Sequence, residues 1–367
     1  MKQAKVYFSD FRMTNGQNHG SKLKKLMQAA GMDQIDFDGK YVAIKIHVGE
    51  LGNLAFLRPN YAKYVADYVK ELGGKPFLTD CNTLYVGSRK NALDHLDTAN
   101  INGFSPMSTG CQILIADGLK GTDDVEVPVE GGVLCKTAKI GRAVMDADII
   151  ISLNHFKGHE EAGFGGALKN LGMGCGSRAG KMEMHSAGKP LVIEKRCIGC
   201  KACAKVCAHD APQFANGKCT IDHDKCVGCG RCIGICPKDA IRAASDETFS
   251  NLNWKIAEYA KAVVDGRPSF HINIVNNVSP NCDCHPESDA AIVGDVGMFV
   301  SFDPVALDVA CADAVNRQPV NPLSILREKA GAEDRFSSLH VGTNWRTGPE
   351  HGEEIGLGTQ DYELITM

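Results

Sequence analysis

The chain has 367 residues, more than one average domain needs, and 44% of them are hydrophobic. No apolar run is long enough to span a bilayer, so we expect no membrane insertion. The net charge is −4 and the sequence has no basic patch with interleaved aromatic residues, so we expect no nucleic-acid binding. The first residues, MKQAKVYFSD, lack the pattern of a secretory signal, and the sixteen cysteines suit a reducing compartment. We therefore expect a cytoplasmic protein of an organism that lives with little oxygen.

The first part of the chain alternates apolar runs typical of strands with helical patterns. The predicted strands are Ala4–Phe8, Tyr41–Ile46, Lys75–Thr79, Gln112–Ala116 and Asp148–Leu153. The predicted helices are Ser21–Ala30, Asn60–Leu72 and Ala138–Asp146. This alternation predicts an α/β fold, with a mostly parallel sheet and helices on both faces.

Polar residues stand at the ends of several predicted strands. They are His47, Asp80, Cys81, Asp117, Asn154 and His155. Ligands of open α/β sheets bind beyond the carboxyl ends of the strands, so these residues indicate a pocket at that edge. Strands also stop commonly at polar residues, and for any single one of the six an ordinary turn role stays open.

A glycine-rich stretch follows, with NHFKGH beginning at Asn154 and GFGGALKNLGMGCGSRAGK spanning residues 163–181. Its positive charges are Lys157, Lys169, Arg178 and Lys181. Glycine lets backbone N–H groups approach a ligand, so the stretch predicts binding of an anionic small molecule. It matches neither a Walker loop nor a dinucleotide fingerprint. The alternative is that the glycines form tight turns beneath the cysteine-rich segment that follows.

Two cysteine runs with one spacing come next. The first, C-x2-C-x2-C-x3-C, contains Cys197, Cys200, Cys203 and Cys207. The second, 29 residues later, contains Cys226, Cys229, Cys232 and Cys236. In two-cluster proteins the fourth cysteine of each run binds the other cluster. We therefore assign one 4Fe-4S cluster to Cys197, Cys200, Cys203 and Cys236, and the other to Cys226, Cys229, Cys232 and Cys207.

A zinc ribbon or a disulfide framework fits these eight cysteines poorly, since neither needs two complete copies of this spacing. The stretch resembles a bacterial-type two-cluster ferredoxin, except that Ala208 stands where that family usually has the proline that Pro237 supplies in the second run. Residues 190–242 carry nine Lys or Arg against five Asp or Glu. This excess suits an acidic redox partner protein, or it simply offsets the negative charge of the clusters, the simpler reading.

The strand and helix pattern resumes after the cysteine runs. We predict strands at His271–Val275, Gly297–Phe302 and Leu339–Val341. We predict helices at Ser250–Val264, Pro304–Val315 (capped by Asp303) and Pro322–Ala330. Because each flanking half completes the pattern of the other, we divide the chain into an α/β domain, residues 1–189 and 243–367, and a small α+β ferredoxin-like insertion, residues 190–242.

A further cluster of metal-type ligands lies at Cys282, Cys284 and His285. Thiolates with imidazole suit zinc, iron or nickel, so an additional mononuclear metal is one hypothesis for these residues. His155, His159 or Asp295 would have to complete its ligand set, because C-x-C-H is too cramped to do so alone. Structural cysteines in a turn, or a substrate pocket, are the alternatives.

Three segments together, NHFKGHEEAGFGGALKNLGMGC, CDCHPESD and FVSFDPVALD, resemble the domain-of-unknown-function 362 family, whose members are often described as iron-sulfur centre proteins. The likeness spans nearly the whole chain. It implies an α/β fold with iron-sulfur cofactors and a cytoplasmic redox role, while the activity of the family is largely unassigned. Matching the motifs implies a site made of His155, Lys157, His159, Lys169, Asn170, Cys282, Cys284 and His285.

The leading hypothesis is an oxidoreductase whose two clusters pass electrons between a redox partner protein and a small-molecule or metal site in the α/β domain. His155, His159 and Lys169 are the predicted catalytic residues. Lys157, Asn170, Cys282, Cys284 and His285 are the predicted binding residues. The alternative from another class is a ferredoxin-like electron carrier or scaffold without chemistry of its own. Purely structural clusters are a third reading, which no basic groove supports.

Overall fold

A computed structural model of the chain describes residues 3–84, 87–185, 189–226, 228, 230–243, 249–340 and 342–367. Its central sheet has eight strands: β1 (Ala4–Asp10), β2 (Tyr41–Lys45), β3 (Lys75–Asp80), β4 (Gln112–Ile115), β7 (Ile149–His155), β14 (Ser269–Val275), β15 (Gly297–Ser301) and β16 (Tyr362–Thr366). Their order is β16-β1-β15-β14-β7-β2-β3-β4, and only β15 runs against its neighbours. The prediction of a mostly parallel α/β sheet is confirmed.

Four antiparallel pairs of short strands lie outside this sheet: β5 (Asp124–Pro128) with β6 (Thr137–Gly141), β8 (Lys157–His159) with β9 (Gly163–Gly165), β10 (Pro190–Val192) with β13 (Ile241–Ala243), and β11 (Pro212–Ala215) with β12 (Lys218–Ile221). The helices before the cysteine runs are α1 (His19–Ala29), α2 (Pro59–Glu71), α3 (Ala92–Ile101), α4 (Pro106–Thr109), α5 (Arg142–Met145), α6 (Ala167–Cys175) and α7 (Arg178–His185). Those that follow are α8 (Ala202–Val206), α9 (Arg231–Ile235), α10 (Phe249–Val264), α11 (Pro304–Asn316), α12 (Arg335–Leu339) and α13 (Thr347–Glu354). Single 3-10 turns occupy Met32–Gln34, Glu194–Arg196 and Arg327–Lys329.

Strand β7 is buried along its whole length because helices cover both faces of the sheet. Its side chains alternate: Ile149 and Ile151 join the core beneath α1 and α2, whereas Ile150 joins the core beneath α6 and α10. A continuous apolar run therefore forms a strand here, as predicted, and it ends at the edge of the sheet where polar residues begin.

Helix α6 lies within the glycine-rich stretch for a packing reason. A Cβ atom added to Gly172 would lie 2.1 Å from the backbone oxygen of Ile256, so glycine lets α6 approach α10 closely. The buried carboxylate of Asp308 accepts hydrogen bonds from the backbone N–H groups of Ala167 (2.7 Å) and Leu168 (2.9 Å) and thus caps α6 from a neighbouring helix.

Three element predictions are wrong. Ala138–Asp146, predicted as a helix, is the end of β6 followed by α5, because its apolar residues alternate in the hairpin before the helical turn. Pro322–Ala330 holds only the 3-10 turn at Arg327–Lys329. In the predicted strand Leu339–Val341, Leu339 instead ends α12 and packs in the core, and Val341 lies outside the described residues.

The segment between β10 and β13 holds both cysteine runs. Pro190 pairs with Ala243 and Val192 with Ile241, so the chain enters and leaves this segment side by side. The described residues of the two runs match in backbone conformation at two positions, since Gly199 and Gly228 both have positive φ, as do Lys201 and Gly230. A short helix follows each run's second cysteine, α8 in the first copy and α9 in the second. The sequence repeat is therefore also a structural repeat.

Candidate functional site

A cavity of about 360 Å³ lies beyond the carboxyl ends of β2, β3 and β7, where the strand pattern predicted a pocket. We call it the carboxyl-edge cavity. Its basic lining residues are Arg89, Lys157, Lys169 and Lys181. Its other titratable lining residues are His47, Asp80, Cys81, His159, Glu160, Glu161, His185, Cys284 and His285. Leu84, Met173, Leu252 and Ile256 supply an apolar side.

A buried polar network forms the floor of the cavity. Lys45 at the end of β2 donates to Asn170 (2.7 Å) and lies 2.9 Å from the carboxylate of Asp80. The amide of Asn170 donates in turn to Asn154 (2.7 Å) at the end of β7. Burial raises the pKa of Asp80, but Lys45 and the other basic side chains around it together outweigh this effect, so the pKa stays below its ordinary value. Asn170 therefore ties α6 to two strand ends.

Arg89 offers an unused donor to the cavity. Its Nε donates to Glu50 (3.1 Å) and its Nη1 lies 3.1 Å from Nε2 of His47, whereas Nη2 is buried without a hydrogen-bond partner in the described structure. Burial, and then the charge of Arg89, lower the pKa of His47 well below its ordinary value. A neutral imidazole beside an unpartnered guanidinium nitrogen suits an anionic ligand.

His155 does not line the cavity. Its Nδ1 donates to the Asp283 carboxylate (2.8 Å) and its Nε2 to the backbone oxygen of Asn276 (2.9 Å), so both nitrogens are engaged behind the cavity wall. Asp283 also lies 3.5 Å from Lys157. Burial opposes ionisation of Asp283, but His155 and Lys157 hold its pKa below the ordinary range. This buried carboxylate therefore positions Lys157, which does reach the cavity.

His159 has a defined tautomer. Its Nδ1 accepts from the backbone N–H groups of Glu161 (3.2 Å) and Ala162 (3.0 Å), so the neutral ring carries its proton on Nε2. That nitrogen hydrogen-bonds the thiol group of Cys282. His155 and His159 therefore do not share a helix face: they lie in β7 and β8, with different partners.

Cys282 and Cys284 form a coupled thiol pair. The hydrogen bond from Cys284 lowers the pKa of Cys282 well below its ordinary value despite burial, helped by the charge of Lys169, whose Nζ lies 3.3 Å from Cys282 Sγ. The same hydrogen bond raises the pKa of Cys284, because Cys284 is the donor and its proton is held by the sulfur of Cys282. Burial lowers the pKa of Lys169, but its interactions with the two cysteines and with Glu160 together outweigh this effect, and the pKa is raised.

Glu160 joins Cys284 and His285 at the rim of the cavity. His285 Nε2 donates to Glu160 Oε1 (2.5 Å), and this bond raises the pKa of His285. One ligand atom from each of the three residues lies within 4.8 Å of the other two, and no other such group of His, Cys, Asp or Glu occurs in the described structure. Glu160 was not among the predicted site residues.

The cysteine runs line two small hollows. The first, which we call the first-run hollow, is lined by Cys197, Cys200, Cys203 and Cys236, together with Cys219. The second-run hollow is lined by Cys207, Cys226 and Cys232. Cys229 lies outside the described residues. Each hollow thus combines the first cysteines of one run with the fourth of the other.

Helix α7 lies between these hollows and the carboxyl-edge cavity. Lys181 and His185, four residues apart, line the cavity. Arg178 and Met182, also four apart, face α9: a Cβ atom on Gly230 would lie 2.7 Å from Arg178 Cγ and 3.2 Å from Met182 Cγ. Met182 and Leu84 belong to the same apolar cluster as Cys197 and Cys203.

The structure thus brings Lys157, His159, Lys169, Asn170, Cys284 and His285 to one cavity, with Cys282 directly behind its wall. Asp295, which sequence analysis considered as a further metal ligand, instead accepts from the backbone of Asn277 (2.6 Å). Arg89 and Glu160 were missed. Glu160 directly follows the NHFKGH motif and could have been included, whereas nothing in the sequence around Arg89 signals its role.

The fold and the cavity define an α/β protein with a basic ligand cavity at the carboxyl edge of its sheet. The chain belongs to the family described as Domain of unknown function (DUF362), whose model matches residues 42–313. No curated protein matches it significantly. None of the described helices combines the length and apolarity needed to cross a bilayer.

Two solved structures are similar at low identity. The lactate racemase apoprotein from Thermoanaerobacterium thermosaccharolyticum is 11% identical, with a TM-score of 0.36, and the match covers 75% of this chain and 51% of that one. A protein from Thermotoga maritima is 12% identical, with a TM-score of 0.35, over 80% of this chain and 56% of that one. The chain therefore spans about half the length of both.

Proposed function

We propose that the protein is an iron-sulfur redox enzyme in which two 4Fe-4S clusters exchange electrons with an anionic small molecule in the carboxyl-edge cavity. The observation that carries the proposal is the crossed lining of the two hollows. Cys236 of the second run lies with the first three cysteines of the first run, and Cys207 lies with the second run. This is the ligand exchange expected of two-cluster ferredoxin modules.

The spacing of the thiols in the first-run hollow favours a cluster over a single zinc ion. Two sulfurs bound to one zinc, each at about 2.3 Å, can be at most about 4.6 Å apart. No three ligand atoms among the cysteines of this hollow lie within 4.8 Å of one another. A cubane separates its four sulfur ligands more widely than a single ion does. Cys219, a fifth thiol there, has its pKa raised to about 12 by burial and is not assigned as a ligand.

When bound, the clusters would supply one-electron transfer. The chain's own residues connect the cluster module to the cavity and orient the ligand. Helix α7 touches the second cysteine run with Arg178 and Met182 and the cavity with Lys181 and His185, so a single helix separates the two sites. Leu84 lines the cavity and also packs in the cluster that includes Cys197. The contact of one helix with both sites supports electron transfer between the module and the cavity.

Inside the cavity, the basic side chains orient an anion. Nη2 of Arg89 has no hydrogen-bond partner among the residues that the structure describes, and Lys157 and Lys169 add positive charge. His159 holds its Nε2 proton against the sulfur of Cys282, and His159 and Lys169 remain the catalytic residues of the proposal. His155 acts as a positioning residue through Asp283 and Lys157.

Residues 190–242 act in this proposal as the redox module of the α/β domain. Their paired ends, β10 and β13, support an insertion into one host domain. Cys200 is exposed, and Ile198 beside it is 59% exposed, so a redox partner protein can approach the first-run hollow directly. The net positive charge of the module suits an acidic partner.

The first test is reduction of the anaerobically prepared protein. We expect about eight irons per chain. Each cluster should take up about one electron from dithionite, and electron paramagnetic resonance monitors this reduction. A protein that contains eight irons but takes up no electrons would overturn the redox role.

The second test separates an enzyme from a carrier. The reduced protein is mixed with small carboxylates and phosphate esters, and its reoxidation is followed by absorbance. Lys169→Gln should slow reoxidation by the active compound about 10- to 100-fold, since a hydrogen bond to a charged group contributes about 1.5–3 kcal/mol. Exposed Lys120→Gln is the control. If no compound reoxidises the protein, or if Lys169→Gln reacts like wild type, the carrier interpretation is correct.

A further inference from the structure

The side chains of Glu160, Cys284 and His285 converge from two parts of the chain on the rim of the carboxyl-edge cavity. Glu160 follows β8, whereas Cys284 and His285 lie in a turn closed by the hydrogen bond from His285 N–H to the backbone oxygen of Cys282 (3.1 Å). Their ligand atoms lie within 4.8 Å of one another, and no other described group of His, Cys, Asp or Glu has this property.

One carboxylate oxygen of Glu160 gives an independent indication of a cation. Oε1 accepts from His285, but Oε2 is buried without a hydrogen-bond partner among the described residues. A buried carboxylate oxygen left unpaired is unfavourable, and a metal ion coordinated from the same side would satisfy it.

We propose that Glu160, Cys284 and His285 bind one divalent metal ion, with zinc the best match to this mixed oxygen, sulfur and nitrogen set. The carboxylate of Glu160 and the sulfur of Cys284, which releases its proton when it binds the ion, together balance the charge of the ion. Three protein ligands with a position open to the cavity are the arrangement of catalytic zinc sites, not of structural ones. Bound ligand atoms would lie at most about 4.5 Å apart, so the observed 4.8 Å limit requires only a small contraction.

This set differs from the one that the sequence predicted. Cys282 is replaced by Glu160, because Lys169 donates to Cys282 Sγ (3.3 Å) and His159 hydrogen-bonds the same sulfur. An ion here would polarise an oxygen of an anionic ligand that Lys169 also contacts, which is Lewis-acid chemistry. The proposal concerns this cavity's ligand and does not depend on the iron-sulfur clusters.

The test uses the full anaerobically prepared chain, exposed to one equivalent of zinc after removal of loosely bound metal. We expect about one zinc per chain by elemental analysis, and X-ray absorption at the zinc edge should show one sulfur with nitrogen and oxygen ligands. Binding of less than about one tenth of a zinc ion per chain would overturn the proposal. So would a zinc ion with only sulfur ligands, the result expected if zinc binds to the two cysteine runs instead. Zinc and iron are measured separately. A protein that binds zinc but lacks iron would therefore contradict the cluster assignment and leave the zinc proposal standing.

Variants identify the ligands. Glu160→Gln, Cys284→Ser and His285→Gln should each weaken zinc binding more than about 100-fold, since loss of an outer-shell partner alone weakens it about 10- to 100-fold. Cys282→Ser changes an outer-shell partner of Cys284, and exposed Glu287→Gln changes a carboxylate 3.9 Å from the other nitrogen of His285, so each should weaken zinc binding by no more than about 100-fold. Zinc retained in all three ligand variants, or weakened by Cys282→Ser as much as by Cys284→Ser, contradicts the assignment. The thermal midpoint and the circular dichroism spectrum of each variant establish that it folds. If a variant fails to fold, the X-ray absorption spectrum of the wild-type protein at the zinc edge still tests the site.

Discussion

The buried carboxylate of Asp283 positions two basic side chains, His155 and Lys157. It is fully buried, pairs with His155 at 2.8 Å and lies 3.5 Å from Lys157. A charge taken from water is tolerated only when partners satisfy it, and here one carboxylate interacts with two basic side chains. The C-x-C-H sequence drew attention to the two thiols and the imidazole, whereas the aspartate between the thiols fixes the arrangement.

Asp283→Asn should destabilise the protein by about 3–5 kcal/mol, because it leaves basic side chains buried without a counter-charge. Urea unfolding followed by circular dichroism measures the change. Asp289→Asn, at an exposed position in the same loop, should change the free energy of unfolding by no more than about 0.5 kcal/mol. Equal effects of the two substitutions would mean that the buried pairing contributes little.

At the scale of elements, α6 carries Lys169 and Asn170 to the cavity. Its sequence, ALKNLGMGC, has two glycines and low intrinsic helix propensity. Tertiary contacts offset this: Asp308 caps the first turn, Asn170 ties the helix to the strand ends, and Gly172 allows close contact with α10. Gly172 therefore serves the packing of α6 against α10.

Gly172→Ala should destabilise the protein by about 1–3 kcal/mol, since a Cβ atom would lie 2.1 Å from the backbone oxygen of Ile256 and force α6 and α10 apart. Gly348→Ala in α13 is the matched control, because its nearest contact would be an ordinary 3.6 Å. That change should be neutral or stabilising by up to about 1 kcal/mol. Thermal unfolding of the two variants compares them, and a stable Gly172→Ala protein would contradict the packing argument.

The sequence predicted those elements whose pattern is local. Strand β7 is an uninterrupted apolar run, and Asp303 caps α11 with bonds of 2.9 Å to Val305 and Ala306. The failures depend on distant contacts. Helix α6, which was not predicted, needs Asp308, 141 positions away from Ala167, and residues 138–141 form the end of β6 because β5 pairs with them. Local propensity does not record such partners.

At the scale of the whole molecule, strand order brings distant residues to one edge. His47, Asp80 and Lys157 follow β2, β3 and β7, which are neighbours in the sheet, so the location of the cavity could be predicted from the alternating pattern. Its composition could not. Arg89 comes from a loop after β3 and Glu160 from the short β8–β9 hairpin, and only the folded chain brings them to the same cavity.

The whole-molecule account depends on the crossing of ligands between the two cysteine runs. Iron content per chain in two double variants tests it most directly, with Cys111→Ala, in the hydrophobic core of the α/β domain, as the control that retains all iron. If the pairing is crossed, Cys200→Ser with Cys236→Ser removes ligands from one cluster and leaves about four irons, whereas Cys200→Ser with Cys207→Ser damages both clusters and leaves almost none. The reverse pattern, or a wild-type protein that binds zinc in place of iron, would contradict the account.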